Sequence, residues 1–359
     1  APGRPIVGSN NHVTEKISQF VDDKIRKYAM ANPSYIKDTT DFIKKLKSVG
    51  KLKPGSILCT MDVTSLYTNI PHNGGLKALA ERLILDKQKK VPPEVILRLA
   101  GLVLKNNLLT FNGKLYKQLI GTAMGTKMAP NYANIFMGSF EKNLLNDYHL
   151  APKIWVRFID DIFFIWEHGK EELDKFVKFA NERHPSIKFT HKFSESQVNF
   201  LDTWVKVNNE GYLYTSLYNK PTDTFDYLHY TSAHPVHCKQ AGPRGQLHRI
   251  RRICSLDQDF EHFGQRCCNH YIRRGYPTQL VQKAYQAVVN LTQDQLLEPV
   301  PKKPSTGDYY LIIPYNERNP HITGIVRKHW PILSSTQLGR DLFPRPPIVG
   351  YSRPTNFRE

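Results

Sequence analysis

Apolar residues recur at helical spacing from Thr14 to Ala29, where Ile17, Phe20, Val21 and Ile25 share one face. Pro33 interrupts that run, and a second helix is predicted from Thr39 to Val49, closed by Gly50 and Pro54-Gly55. Ser56 to Asp62 (Ser-Ile-Leu-Cys-Thr-Met-Asp) is a short apolar run after a turn, the pattern of a strand buried on both faces. Pro92-Pro93 opens another helix, with Val95, Leu99, Leu102 and Val103 as its apolar face. Leu109 to Leu119 reads as a β-hairpin around Asn112-Gly113. Gly121 to Pro130 is a glycine-containing loop leading into a helix whose apolar face is Ala133, Phe136, Met137 and Phe140.

Two apolar strands then flank Asp160-Asp161 within Ile154 to Trp166. A helix is predicted from Glu171 to Arg183, a strand from Ile187 to Phe193, and a hairpin from Val198–Val207 and Gly211–Leu217. Beyond Lys220-Pro221 the pattern changes: Arg244 to Arg274 holds seven arginines against three acids, interleaved with His248, His262 and His270. Leu280 to Asn290 is again helical, and from Glu298 onward the proline content predicts a strand-poor, surface-wrapping extension. Strands gathered into an antiparallel sheet backed by helices, then a helical unit, make the class α+β rather than doubly wound α/β.

Composition narrows the class of partner. The 359 residues carry 50 Lys+Arg against 32 Asp+Glu, a formal charge of +18 and a pI near 9.6. With 40% hydrophobic and 11% aromatic residues, the chain is too apolar to be a disordered basic tail. No apolar run approaches 18–20 residues, so no membrane-spanning helix and no membrane partner are expected. The surplus of cations points to a polyanion, with nucleic acid ahead of a lipid surface. Five scattered cysteines, an odd number, argue against a disulfide framework and for a reducing compartment. The opening Ala1-Pro-Gly carries no initiator Met or leader, which suggests a piece of a longer protein.

The chemistry lies in the acids. Asp62 ends one apolar strand, and Asp160-Asp161 occupies the turn between two others. An Asp-Asp turn alone is an ordinary hairpin tip, but a third acid ending a second buried strand favours a shared site. Carboxylates crowded beside apolar residues repel one another unless a cation intervenes, and hard Mg²⁺ prefers carboxylate, phosphate and water oxygens. Two such ions suit in-line attack on phosphorus.

Around these acids the sequence resembles a family. Cys59-Thr-Met-Asp62-Val-Thr-Ser-Leu-Tyr67-Thr-Asn-Ile-Pro71 is similar to motif A of reverse transcriptases, Gly121-Thr-Ala-Met-Gly125-Thr-Lys-Met-Ala-Pro130 to motif B, and Phe158-Ile-Asp160-Asp161 to motif C. The wording is that of Penelope-like retroelements, a lineage allied to telomerase reverse transcriptase. Arg4-Pro-Ile-Val, Asn199-Phe-Leu-Asp-Thr-Trp204, Tyr227 to Cys238, Arg249 to Cys254 and Arg274-Gly-Tyr-Pro277 extend the match over almost the whole chain.

The resemblance implies a right-hand polymerase with an antiparallel palm sheet, partial fingers and a helical thumb. Its parts would be fingers over 1–56, palm with fingers elements over 57–218, thumb over 219–297, and an extension over 298–359. It implies RNA-directed DNA synthesis by target-primed copying of element RNA in the nucleus, with template RNA, a DNA primer strand and dNTP as partners. Asp62, Asp160 and the Val63 carbonyl would hold two Mg²⁺ ions (Mn²⁺ substituting), with Asp161 assisting. Tyr67 would be the steric gate against a ribose 2′-OH, and Gly125 and Arg4 would approach the incoming dNTP. Phe200, Leu201 and Asp202 would form the primer grip, and Arg244, Arg249, Arg251, Arg252, Arg273 and Arg274 would follow the template–primer backbone. Lys188 and Lys192 both stand as candidate general acids. A core tyrosine, a helix-entry glycine and a solvated terminal arginine are the plainer readings of Tyr67, Gly125 and Arg4.

The departures from the family are specific. The fingers sequence expected before Arg4, including a triphosphate-contacting lysine, is absent from these residues. So is the GIY-YIG endonuclease that Penelope-like proteins often carry, which would be a downstream partner domain. His229, His234, His237 and Cys238 with Cys254, Cys267 and Cys268 match no standard zinc spacing, so structural zinc is not expected. An RNA-dependent RNA polymerase and a non-catalytic RNA-binding scaffold are the competing functions. The first lacks a reason for Tyr67, and the second lacks a reason for three separated acids.

Overall fold

A computed structural model describes residues 10–87, 90–299, 301, 309–316 and 322–352, and the chain divides into two compact units, one ending at Tyr218 and the other beginning at Asn219. In the first unit, α1 (Glu15–Met30) and α2 (Thr39–Lys47) precede β1 (Ile57–Val63). The Asp38 side chain accepts from the Asp41 backbone N–H and caps α2. The chain continues through α3 (Leu66–Asn69), α4 (His72–Leu85), α5 (Pro93–Lys105), the hairpin β2 (Leu108–Phe111) and β3 (Lys114–Lys117), and α6 (Ala129–Asp147). It then forms β4 (Ile154–Phe158), β5 (Asp161–Trp166), α7 (Lys170–Glu182) and β6 (Phe189–Ser194). Three further strands, β7 (Gln197–Phe200), β8 (Thr203–Val207) and β9 (Leu213–Leu217), close the unit.

The central sheet has the order β4-β5-β1-β6, and each neighbouring pair is antiparallel. Strand alternation splits its side chains between two cores. Ile57, Cys59, Met61 and Val63, with Ile162, Phe164 and Trp166, face a large apolar layer supplied by α1, α4, α5, α6 and α7. Leu58, Val156, Phe163 and Ile165 face a smaller core built with α2 and the β7-β8-β9 sheet. In that smaller core the Phe42 ring meets Phe163 edge-on at 5.2 Å and Phe200 at 4.6 Å.

Several expectations change. The apolar face of α5 is Ile96, Ala100, Val103 and Leu104, while Val95 and Leu102 are exposed. That helix is apolar nearly all round, so periodicity alone could not choose its face. Helix α4 occupies a stretch to which the sequence pattern assigned no element. A Cβ on Gly75 would lie 2.0 Å from the Tyr132 hydroxyl oxygen, so the glycine is there for close packing on α6. Val198–Val207 is two strands rather than one, since Leu201 at φ +53° turns the chain between them.

In the second unit, α8 (Val236–Ile253), α9 (Asp257–Arg273), α10 (Thr278–Val289) and α11 (Gln293–Leu297) pack around Leu247, Ile250, Phe260, Tyr271, Val281 and Val288. The described part of the extension is not strand-poor. Strand β10 (Tyr310–Pro314), α12 (Ile322–Ser334), α13 (Gln337–Leu342) and β11 (Ile348–Ser352) form a crossover with β10 and β11 parallel. The Leu-Ile-Ile and Ile-Val-Gly-Tyr runs were masked in the sequence by the surrounding prolines.

Phe42→Ala is expected to lower the stability of the first unit by about 3–5 kcal/mol, the usual cost of truncating a buried phenylalanine. Urea denaturation followed by tryptophan fluorescence measures it.

Candidate active site

Asp62, Asp160 and Asp161 lie at one end of the sheet, where β1 and β4 end and β5 begins. Asp62 lies directly opposite Asp161 in the β1–β5 register, so both carboxylates leave the same sheet face, the one that carries Phe163. Asp160 sits in the two-residue turn joining β4 to β5, and its carbonyl accepts the Val63 backbone N–H at 3.0 Å. Ile159, the other turn residue, takes φ +57°, an outlying conformation for a β-branched side chain. Asp62 is exposed, and Asp160 and Asp161 are half-buried. Like charges directly opposite each other are unfavourable, and an all-oxygen donor set of this kind fits a hard divalent cation.

Among the described residues, no group of three or more His, Cys, Asp or Glu side chains is gathered closely enough to hold a metal by itself.

The loop after β1 and the loop before α6 are locked together beside these acids. Ser65 turns the chain at φ +51° and starts α3, which carries Tyr67. The Tyr67 carbonyl accepts from the Thr122 N–H at 2.7 Å, and His72 Nε2 lies 2.7 Å from the Gly121 carbonyl. Gly121 has φ +78°, and a Cβ there would fall 2.4 Å from the Tyr67 carbonyl oxygen and 2.6 Å from Thr68 Cα. Only glycine fits. Gly125, farther along the loop, is exposed and takes φ +113°. Burial, with the nearby Asp160 carboxylate adding to it, pushes the Tyr67 phenol up to about 12.

The remaining candidates divide. Lys192 pairs with Thr60 and so shares the sheet face of Asp62, whereas Lys188 donates its Nζ to the Asn181 and His184 carbonyls at the end of α7. Phe200 is a core residue between Phe42 and Phe163, so it cannot touch a primer directly. Leu201 and Asp202 form the adjoining turn, where Asp202 accepts from the Thr39 hydroxyl. Arg4 lies outside the described residues.

The second unit corrects one arginine outright. Arg251 is buried, with Nε on the Leu291 carbonyl, Nη2 on Asp257, and the guanidinium 5.2 Å from the Phe260 ring centroid. It holds the helices together and cannot follow a nucleic-acid backbone. Arg252 is half-buried with Nε on the Leu296 carbonyl, and half-buried Arg274 pairs with Asp226. Arg244 and Arg273 are exposed, and Arg249 is half-buried. Cys254, Cys267 and Cys268 are buried, while Cys238 is exposed.

Residues 3–228 match a family model described as reverse transcriptase (RNA-dependent DNA polymerase). The chain belongs to the reverse transcriptase family. Residues 226–286 match a second model, described as an animal helix-turn-helix domain. No curated protein matches this reverse transcriptase chain. Among solved structures, telomerase from Candida albicans in complex with a fragment of telomeric RNA is 11% identical, with a TM-score of 0.54 over 76% of this chain and 48% of that one. That likeness shows the right-hand polymerase fold. Apo telomerase from Candida tropicalis is 12% identical, with a TM-score of 0.48 over 78% of this chain and 51% of that one. The RNA-dependent RNA polymerase of a human picorbirnavirus is 14% identical, with a TM-score of 0.47 over 71% and 52%. The reverse transcriptase chain thus spans about half the length of the telomerases it matches.

Gly121 entered the sequence reading only as the start of the loop and of the motif B likeness, with no role of its own, and His72 did not enter it. The available signal for Gly121 was its place four residues before Gly125 in a two-glycine loop; nothing marked His72. Gly121→Ala is expected to destabilise the first unit by about 1–3 kcal/mol through strain at its positive φ, seen as a lowered melting temperature. Arg251→Met should cost about 1–3 kcal/mol by stranding the Leu291 carbonyl. The exposed Arg273→Met should stay within about 0.5 kcal/mol in the same melt.

Proposed function

We propose that this chain is the polymerase core of a Penelope-like retroelement reverse transcriptase, copying element RNA into DNA from a nicked target in the nucleus. The observation that carries the chemical part is the register that sets Asp62 opposite Asp161 with Asp160 in the adjoining turn. The Penelope-like assignment is supported by the wording of the three motifs and by the segments that continue the likeness to Pro277.

In this reading Asp62, Asp160 and the Val63 carbonyl hold two Mg²⁺ ions, with Asp161 assisting. When bound, the ions supply charge stabilisation for the attacking and leaving oxygens of an in-line displacement. The chain's own residues do the positioning. The Tyr67 ring, held in place by the Gly121–Thr122 contact, crowds a ribose 2′-OH and so favours dNTP. Gly125, with no side chain, lets the nascent base pair approach the backbone. Lys192, on the sheet face of Asp62, is better placed than Lys188 to give a proton to departing pyrophosphate. Leu201 and Asp202 steady the primer end from the turn between β7 and β8.

The 1–56, 57–218 and 219–297 segments serve as partial fingers, palm and thumb. In the thumb, Arg244 and Arg273, with Arg249, track the phosphates of an RNA–DNA hybrid, a contact that weakens with salt. The animal helix-turn-helix match over 226–286 is consistent with a helical nucleic-acid grip there.

Primer extension on an RNA template with Mg²⁺ tests the reading. Wild-type protein should extend with dNTPs, and Asp160→Asn should be slower by about 100- to 1,000-fold, the scale of losing one group that stabilises transition-state charge. Tyr67→Ala should raise ribonucleotide incorporation relative to deoxynucleotide. Equal extension by wild type and Asp160→Asn would overturn the mechanism, and a wild-type preference for NTPs would overturn the choice of product.

A further inference from the structure

A buried ion pair lies directly beneath the aspartate turn, on the opposite face of the sheet. Arg157, in β4, is fully buried, and it pairs with Ile162 one register step from the Phe158–Asp161 pair that closes the turn. Its guanidinium has five N–H donors, and five acceptors surround it. Nε meets Glu141 Oε1 at 2.8 Å, and Nη2 meets Glu141 Oε2 at 3.2 Å and the Asn134 carbonyl at 3.3 Å. Nη1 meets Asn134 Oδ1 at 2.6 Å and the Ile159 carbonyl at 2.9 Å.

The last of these contacts reaches the strained residue of the turn itself. Ile159 at φ +57° holds that conformation only where its surroundings over-determine it. The partners of Arg157 are in turn fixed. Glu141 also accepts from Trp155 Nε1 at 2.9 Å and from the Ser34 hydroxyl at 2.6 Å. Asn32 donates to the Asn134 carbonyl at 3.0 Å and accepts from Arg82 at 2.8 Å. The Arg157 backbone is held as well, its N–H on the Ser34 carbonyl at 2.6 Å and its carbonyl on the Ile36 N–H at 3.1 Å.

We infer that Arg157 is a positioning residue for the polymerase reaction: by gripping the Ile159 carbonyl from below, it fixes where the Asp160 carboxylate points. The inference rests on the polymerase reading above. A buried charge pair costs desolvation that an apolar pair of the same volume would not, so a network this complete calls for a reason beyond packing. Here the reason is geometric. A bare hydrophobic layer could support the sheet but could not hold one carbonyl of a strained turn in one direction. Lysine cannot replace arginine, since its three donors converge on one nitrogen and cannot span Glu141, Asn134 and Ile159 together.

The test uses the full chain and three variants, Arg157→Lys, Ile159→Gly and the double variant, each measured by melting temperature and by primer extension per folded molecule. Ile159→Gly removes the steric penalty at positive φ, so the turn no longer needs the clamp. Arg157→Lys is expected to stay folded and to lose about 100-fold in kcat, the scale of a misplacement near 1 Å. KM for dNTP should change little, and half-maximal activity should need more Mg²⁺. In the Ile159→Gly background, Arg157→Lys should cost tenfold or less. A lowered melting temperature with wild-type kcat and Mg²⁺ dependence would reduce Arg157 to a purely structural part and overturn the inference. So would an equal kcat loss in both backgrounds. Failure of the wild-type protein itself to extend any primer would instead strike the polymerase reading. In that case Mn²⁺ binding by wild type and Arg157→Lys, followed by electron paramagnetic resonance, still tests the positioning: weaker binding by the variant is expected, and equal binding overturns it.

Discussion

The register between β1 and β5 is the constraint on which the candidate site depends. Sliding one strand by a single residue would turn every side chain to the other face. Ile57, Cys59, Met61 and Val63 then could not join Ile162, Phe164 and Trp166 in the large apolar layer. The hydrophobic pattern therefore selects one pairing, and that pairing leaves Asp62 and Asp161 side by side on the opposite face. Core packing and the geometry of the candidate site are set by the same alternation. No separate device is needed to bring together two acids that are 99 positions apart in the sequence.

Much of this was legible in the residues because it depends on local rules. Asn112-Gly113 announced the β2–β3 hairpin, and both residues take positive φ, 50° and 70°, as such a turn requires. The acids at the ends of apolar strands are the residues that the strand register places next to one another, Asp62 opposite Asp161. What the residues hid is what depends on distant partners. Nothing local marks Gly75 as the residue that lets α4 close on the Tyr132 hydroxyl, and the apolar face of α5 is decided by which neighbours surround an almost uniformly apolar helix. Arg251 and Arg273 are both arginines in a basic run, yet one is interior and one is on the surface. Only tertiary structure distinguishes a cation that binds helices together from one available to a ligand. Arg157 is the strongest instance, since a charged residue within Ile154 to Trp166 carries no sequence sign of complete burial.

The net charge of +18 is accordingly less uniform than its total implies. Part of the arginine in the second unit is spent internally, with Arg251 on Phe260 and Asp257 and Arg274 on Asp226. The cations left on the surface there, such as Arg244 and Arg273, are those that give the unit an outward electrostatic field. Grip on a polyanion would depend on which few positions face outward more than on the arginine count.

Tyr67 carries a consequence of its own. With its phenol pushed up to about 12 by burial and by Asp160, the side chain keeps its proton through neutral and mildly alkaline pH. A phenolate there would add another negative charge beside carboxylates that already repel one another, and would itself be a hard oxygen ligand competing for a cation. Keeping the hydroxyl neutral keeps the Tyr67 oxygen from acting as an anionic ligand. Tyr67 thereby adds no anionic group to the centre as pH varies through neutrality.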